Sequence, residues 1–177
     1  LADLADLDGD GDLDVLTFAA GDLSWHANVD GAGALSAGLF GDGDGLLLGS
    51  GEAVDLDLDG DLDVLAANML STTQNVGAVF ENLDGVGGFG TAQVVFVAEG
   101  VESVRVSDLD GDGDPDAVVA TDAPGAGPDE QLAWLANDGA GGFGAATPLS
   151  VGSLFGSRWA EPADLDGDGD ADIVHVG

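Results

Sequence analysis

A nine-residue acidic motif with the pattern D-x-D-x-D-x-x-x-D occurs four times in this chain of 177 residues. The four copies span residues 6–14, 55–63, 108–116 and 164–172, so they start at intervals of 49, 53 and 56 residues. Each copy is followed directly by a short apolar run. A period of roughly 50 residues is typical of repeat architectures, in which each unit packs against its neighbours. The motif therefore constrains both the fold and the chemistry of the chain.

The segments between the acidic motifs predict about four short strands per repeat. One extended run follows each motif, and a second run ends in Asn28, Asn82 or Asn137 and leads into an Asp-Gly turn. Asp-Gly between extended runs predicts a hairpin, because both residues tolerate positive φ. Since roughly four antiparallel strands per 40–50 residues are typical of a propeller blade, we predict an all-β array of β-propeller-type blades. The turn glycines, to which we assign no chemical role, are Gly31, Gly85 and Gly139.

We predict that residues 1–177 form a single repeat array. Counted from motif to motif, the repeats span approximately residues 5–53, 54–106 and 107–162, with a partial repeat at 163–177. A closed propeller needs at least about four blades. We therefore expect neighbouring repeats of a longer chain, other copies of this chain that complete a propeller, or an open fibre of stacked units. The start at Leu1, inside a repeat, also suggests a piece of a longer polypeptide.

The acidic motifs have the ligand pattern of calcium loops. Carboxylates at positions 1, 3, 5 and 9, a backbone carbonyl at position 7 and a glycine at position 6 parallel the EF-hand loop. Oxygen ligands in a flexible loop suit Ca²⁺ better than octahedral Mg²⁺, so we predict about four Ca²⁺ ions. The predicted metal ligands are Asp6, Asp8, Asp10, Asp12, Asp14, Asp55, Asp57, Asp59, Asp61, Asp63, Asp108, Asp110, Asp112, Asp114, Asp116, Asp164, Asp166, Asp168, Asp170 and Asp172.

Two other calcium folds and a metal-free turn are the alternatives for these motifs. An EF-hand needs a bidentate Glu at position 12 and flanking helices, whereas the residues at that position are Thr, Ala, Val and His and the flanks have strand patterns. RTX-type β-rolls have a nonapeptide period. A solvated turn without metal would suit one isolated motif. Four complete copies favour a bound cation, because clustered carboxylates are costly to leave unneutralised.

The motif and the later turn resemble the FG-GAP/VCBS repeats, which build the β-propeller of integrin α-subunits and occur in many secreted bacterial proteins. The resemblance rests on Asp-Leu-Asp-Gly-Asp-Gly-Asp-Leu-Asp-Val-Leu, starting at Asp6, and on the stretch Asn-x-Asp-Gly-x-Gly-x-Phe. It covers essentially the whole chain. It implies that each calcium loop joins the first and second strands of a blade. It also implies that the carboxylates at positions 1, 3, 5 and 9 hold the ion, which stabilises the sheet edge and performs no chemistry.

The charge of the chain limits its partners. The formal net charge of −33, from 35 acidic and two basic side chains, disfavours nucleic acids and anionic membrane surfaces. Because 45% of the residues are hydrophobic, a core can still form. Cysteine is absent, so metal sites rather than disulfides would stabilise a secreted fold. We expect a secreted or cell-surface protein without nucleic-acid partner and without membrane insertion, since no apolar run approaches the length of a membrane span.

These observations favour a non-enzymatic, Ca²⁺-stabilised extracellular structural or adhesion module that could self-assemble into a fibre or a larger propeller. Its partners would be other copies, neighbouring repeats, glycans or an extracellular protein. One alternative is a lectin-like, carbohydrate-binding propeller with Trp159, beside Arg158 and Glu161, as the sugar-contacting aromatic. A weaker alternative is the non-catalytic part of a secreted polysaccharide-degrading enzyme. The chain has no Lys, Tyr or Cys, which argues against a lyase site within it.

Some residues outside the motifs receive structural interpretations. Trp25 and Trp134 occupy the same repeat position, three residues before the Asn, so we expect packing in the core or between blades. His26 and His175 lie in predicted strands with no serine nucleophile to pair with, and we interpret both as structural. Residues 42–45, Asp-Gly-Asp-Gly, lack a downstream carboxylate and predict an ordinary turn.

Overall fold

A computed structural model describes residues 2–19, 22–36, 48–68, 75–98, 100–122, 132–149 and 158–176. The predicted turn at residues 42–45 lies outside these ranges. Within them, no helix is long and apolar enough to cross a membrane. The strands in these ranges are β1 (Ala2–Ala5), β2 (Asp14–Ala19), β3 (Asp22–His26), β4 (Leu48–Val54), β5 (Asp63–Asn68), β6 (Asn75–Phe80), β7 (Gln93–Ala98), β8 (Val101–Ser107), β9 (Asp116–Thr121), β10 (Leu132–Leu135), β11 (Thr147–Pro148), β12 (Trp159–Ala163) and β13 (Asp172–Val176).

The strands form four antiparallel sheets that follow one another along the chain. Sheet 1 has the order β1-β2-β3, sheet 2 β4-β5-β6-β7, sheet 3 β8-β9-β10-β11 and sheet 4 β12-β13. Each sheet pairs strands that are consecutive in sequence, which is the meander of a propeller blade. The predicted all-β, blade-like fold is thereby confirmed. Every acidic motif connects the first and second strands of its sheet. Repeats counted from motif to motif therefore begin one strand later than the sheets.

The connection that follows the third strand of a sheet is Asn-x-Asp-Gly at Asn28 and Asn82, and the one-residue-shorter Asn-Asp-Gly at Asn137. Asn28, Asn82 and Asn137 each lie two residues beyond that strand. Each makes an isolated antiparallel bridge to the apolar residue that ends its Gly-rich turn. The turn glycines have positive φ, as an Asp-Gly hairpin requires. The bridge partners are Leu35, Phe89 and Phe143.

The hydrophobic core lies between successive sheets. All six residues of β9 are buried, because both faces of this second strand pack against neighbouring sheets. Burial on both faces explains why residues 117–120 are an unbroken run of small apolar residues. Phe18 packs with Val64 between sheets 1 and 2, Leu65 with Val119 between sheets 2 and 3, and β9 with Ala160 of sheet 4.

The first strands of successive sheets are joined by side chains that stand three residues before each motif. Asp3 Oδ2 accepts a backbone N–H of β4 at 3.0 Å, and Glu52 Oε2 accepts one of β8 at 3.0 Å. Arg105 of β8 forms an ion pair with Glu161 of β12, with Nε and Oε2 3.1 Å apart. Burial raises the pKa of Glu52, while its hydrogen bond and Arg105 oppose that rise. These contacts line up β1, β4, β8 and β12 as neighbours.

Gly51 permits the close approach of sheets 1 and 2. A Cβ atom at this position would lie 2.5 Å from Phe18 Cζ and 2.6 Å from the carbonyl oxygen of Leu65. Neither atom can move without disturbing the core between the sheets. Gly51 therefore has a packing role rather than a conformational one.

The second strand of each sheet begins with a buried aspartate, position 9 of the motif, that binds two other segments of the same sheet. Asp14, Asp63 and Asp116 are at most 2% exposed. In sheet 3, Oδ2 of Asp116 accepts the Leu109 N–H at 3.0 Å and Oδ1 accepts the Asn137 N–H at 2.9 Å. The carboxylate thus joins the start of the loop, the second strand and the end of the third strand. We name this arrangement the aspartate clamp. Sheets 1 and 2 repeat it.

The tight contact at Gly51 predicts that Gly51→Ala lowers the free energy of unfolding by about 1–3 kcal/mol, because the added methyl overpacks the core. Gly90→Ala is the matched control, since the nearest atom to its added Cβ is at 3.6 Å. Urea unfolding measures both variants. Equal stability of the two would contradict the proposed packing role.

The aspartate clamp predicts that Asp116→Asn destabilises the chain even in excess chelator, by about 1–3 kcal/mol, because the new amide cannot accept both N–H groups. Asp110→Asn should leave stability unchanged or raise it. Asp110 is exposed, and partial loss of hydration within the loop, together with the neighbouring Asp112 charge, raises its pKa. Chemical denaturation in EGTA compares the two. A loss of the same size in both would show that the clamp has no structural role of its own.

Candidate metal centres

In all four acidic motifs, backbone N–H groups of the loop donate to carboxylates of the same loop in the same pattern. In the second motif, the Gly60 N–H donates to Oδ2 of Asp55 at 3.1 Å. The Asp59 N–H donates to Asp57 at 3.2 Å, and the Asp61 N–H donates to Asp59 at 3.0 Å. The same three bonds recur in the other motifs. These local bonds turn the odd-numbered carboxylates of each motif toward one another.

Position 4 of the motif adopts a left-handed backbone, which the sequence analysis did not anticipate. Three motifs have glycine there, with φ between 70° and 80°, and the second motif has Leu58 with φ 61°. Leu58 is the non-glycine residue with positive φ among those that the structure describes. A side chain in this conformation costs roughly 1–2 kcal/mol. The second loop therefore keeps the common geometry despite an unsuitable residue. The predicted role of the position-6 glycine agrees with its φ of 94–102°.

Each motif brings three carboxylate oxygens within 4.8 Å of one another. Oxygens bound to one Ca²⁺ at 2.3–2.6 Å lie within about 5 Å of each other, so this spacing suits a shared ion. The carboxylates at positions 1 and 3 belong to every cluster. The third carboxylate comes from position 5 in the first two motifs and from position 9 in the last two. The clusters are Asp6, Asp8 and Asp10; Asp55, Asp57 and Asp59; Asp108, Asp110 and Asp116; and Asp164, Asp166 and Asp172.

The remaining predicted ligands lie outside these clusters. Asp112 and Asp168 stand at position 5 of the last two motifs. Oδ1 of each accepts the N–H of the residue at position 7. Positions 9 of the first two motifs, Asp14 and Asp63, form aspartate clamps. The backbone carbonyl at position 7, the predicted fifth ligand, belongs to Asp12, Asp61, Asp114 and Asp170.

The side chains at position 7 face the Asp-Gly turn of their own sheet. A Cβ atom on the turn glycine would lie 2.5 Å from a carboxylate oxygen of Asp12 or Asp61 and 2.7 Å from one of Asp114. The turn glycine is thus needed both for its positive φ and for the space that this carboxylate occupies. Only the first of these two reasons could be predicted from the Asp-Gly pattern.

The electrostatics of the clusters favour a cation. Burial, followed by the charges of Asp14 and Asp10, raises the pKa of Asp8. Burial raises the pKa of the adjacent clamp residue Asp63 to about 6, and the charges of Asp57 and Asp59 in the cluster add to the rise. The Oδ1 atom of Asp55 is buried and has no hydrogen-bond partner. A buried acceptor without a partner is rare in native structures, and a hard cation in this cluster would satisfy it. The residues present therefore fit Ca²⁺.

Each loop of sheets 1 and 2 is covered by the turn of the following sheet. A Cβ on Gly9 would lie 3.3 Å from the carbonyl oxygen of Gly85, and one on Gly141 would lie 3.9 Å from Asp57 Cβ. The predicted ligands all lie within single motifs, and this neighbouring turn was not among the predicted contacts. The recurrence of an Asn followed by an Asp-Gly turn after the third strand of sheets 1 to 3 is the signal that could have revealed it.

Trp25 fills the space between sheets 1 and 2, as predicted. Its ring packs against Gly87 and meets Phe89 edge-on, with centroids 6.1 Å apart. Its Nε1 donates to Asp14 Oδ2 at 3.0 Å. Trp134 has the same repeat position in sheet 3, where its Nε1 is buried without a hydrogen-bond partner.

In sheet 2, the repeat position of Trp25 and Trp134 is occupied by the smaller Val79. A cleft toward sheet 3 lies beside it. Its volume is about 110 Å³. Gln93 Nε2 donates to Glu81 Oε2 at 3.3 Å within it. Carboxylates and an amide thus share the cleft with apolar side chains. The lining residues are Asp57, Asp63, Val79, Glu81, Gln93, Val95, Ala140 and Gly141.

Trp159 and His26 each have a polar or cationic neighbour in the part of the chain that the structure describes. Trp159 is 37% exposed, and Arg105 Cζ lies 5.9 Å from its ring centroid. His26 Nδ1 lies 3.2 Å from the carbonyl oxygen of Ser36, in agreement with a structural role.

The comparison with solved structures supports the fold. The chain is similar to an Agrocybe aegerita lectin, whose structural study concerns specific recognition of non-reducing terminal N-acetylglucosamine. The two share 24% identity and a TM-score of 0.63 over 97% of this chain and 45% of the lectin chain. This chain therefore spans less than half the length of that structure. No curated protein matches it in sequence.

A sequence-family comparison defines the repeat. The model of the FG-GAP-like repeat matches residues 55–119 and 108–175, which together cover more than half of the chain. Both matches contain two complete acidic motifs and the Asp-Gly turn between them. This chain belongs to the FG-GAP-like repeat family.

Proposed function

We propose that this chain is a calcium-stabilised, non-enzymatic module of an extracellular β-propeller protein, with a structural or adhesive role. The observation that carries the proposal is the recurrence of one carboxylate cluster between the first and second strands of all four sheets. The family membership supports it. An ion would supply positive charge and oxygen coordination. The carboxylates of each cluster and the carbonyl at position 7 would hold it.

The chain's own residues explain why a cation would stabilise the fold. The clustered carboxylates repel one another, and the loop that carries them is fixed to the sheet by the aspartate clamp. Repulsion within the loop therefore acts on the strands that the clamp joins. Neutralising it would strengthen the sheet and the contact with the next turn. This role is architectural and needs no catalytic group.

Calcium should raise the melting temperature of the chain relative to excess EGTA. An ion at 100 times its dissociation constant stabilises the native state by about 2.7 kcal/mol per site. The matched variant Asp6→Asn/Asp8→Asn should bind one ion fewer by calorimetric titration. An unchanged melting temperature with and without calcium would refute the calcium role.

A second candidate function is glycan binding at the cleft between sheets 2 and 3. Its combination of carboxylates, an amide and apolar walls at Val79 and Val95 suits the hydroxyl groups and C–H face of a sugar. Its volume is well below the roughly 300–1,000 Å³ of pockets for drug-sized ligands, so it would take one terminal residue. The similar fold of a lectin that recognises a terminal sugar supports this candidate. Trp159 is the weaker site, because Arg105 already lies over its ring.

Glycan binding predicts hits on a glycan array in calcium buffer. Val79→Trp should abolish them, because an indole at this position fills the equivalent space between sheets 1 and 2. Val97→Trp, at an exposed position of β7, is the control and should bind as the wild-type chain does. An array without hits, or equal binding by both variants, would eliminate the cleft as a sugar site.

A further inference from the structure

The asparagine that follows the third strand of one sheet also binds the acidic motif of the preceding sheet. Asn82 Nδ2 donates to the carbonyl oxygen of Leu7 at 3.1 Å. Asn137 Nδ2 donates to that of Leu56 at 2.8 Å. Both asparagine side chains are buried. The two bonds are equivalent in the repeat, since Leu7 and Leu56 both stand at position 2 of their motifs.

Position 2 lies between the first two carboxylates of each cluster. The Leu7 N–H donates to the clamp residue Asp14 at 3.0 Å, and the carbonyl of Leu7 accepts from Asn82. The residue is thus fixed at its N–H by its own sheet and at its carbonyl by the next one. That carbonyl belongs to the peptide group that joins Leu7 to Asp8. The bond from Asn82 therefore sets the orientation of the backbone from which Asp8 projects.

Asn28 shows which bonds belong to a single sheet. Its side chain bonds the Leu13 carbonyl and the Gly33 N–H, both in sheet 1. Asn82 makes the corresponding bonds to Leu62 and Gly87 in addition to its bond to Leu7. The contact with the preceding sheet is therefore separate from the local role of the asparagine.

We infer that Asn82 and Asn137 are positioning residues for calcium in the motif of the preceding sheet. Each of the first two loops then reaches its full affinity only when the following sheet packs against it. The inference rests on the proposed calcium binding. It makes the metal sites dependent on the junctions between sheets.

The test uses the full chain with a single active motif. Positions 1 and 3 of the other motifs are replaced by asparagine, and calcium affinity of the first motif is measured calorimetrically. Asn82→Ala should weaken it about tenfold or more, as expected for residues that orient metal ligands. Asn137→Ala removes an equivalent side chain one junction further and should leave the affinity unchanged. The replaced residues are Asp55, Asp57, Asp108, Asp110, Asp164 and Asp166.

The outcomes separate this inference from the function on which it rests. A parent chain that binds no calcium would overturn both. A parent that binds, with Asn82→Ala and Asn137→Ala indistinguishable, would overturn the positioning role alone.

Hydrogen exchange provides a second measurement on chains with all four motifs intact. In saturating calcium, Asn82→Ala should speed exchange of the amides of residues 7–14 and leave residues 108–116 unchanged. Asn137→Ala should speed exchange of residues 56–63 and leave residues 7–14 unchanged. A uniform increase along the chain would indicate general destabilisation and contradict the inference.

Discussion

The rest of the structure depends on the buried carboxylate at position 9 of the motif. In sheets 1 to 3 it accepts N–H groups from the loop start and from the asparagine beyond the third strand. A charged acceptor makes stronger hydrogen bonds than a neutral one, and both of its donors are backbone groups. One side chain thus fixes the register of the second strand, the path of the acidic loop and the place of the following turn. Sheet and candidate metal loop are consequently one unit.

The sheets are coupled through these same loops. The turn that begins at the asparagine lies on the preceding loop, while the hydrophobic core lies between the sheets beside it. Trp25 and Val79 show how one repeat position adjusts that contact. The indole closes the first junction, and the valine leaves a cleft at the second. Variation at a single position therefore changes the surface between sheets without changing the sheet itself.

The repeating part of this structure could be predicted from the sequence, because its determinants are local. Motif, strand, Asp-Gly turn and position-6 glycine lie within a few residues of one another. The contacts of Asn82 with Leu7 and of Asn137 with Leu56 join residues more than 70 positions apart. No periodicity reveals such a bond. The position-7 side chains were also beyond prediction, since the space above a turn glycine depends on how the loop folds back over its own sheet.

The bonds between the asparagines and the preceding loops all point in one direction, from a later sheet to an earlier one. The array of sheets therefore has a direction. Loss of a later sheet would remove a hydrogen-bond donor from the loop before it, whereas loss of an earlier sheet would leave the later loop with its own clamp and its own turn. Fraying from the C-terminal side and fraying from the N-terminal side are thus physically different events. These hydrogen bonds make local unfolding of the two ends inequivalent, although the sheets themselves are nearly identical.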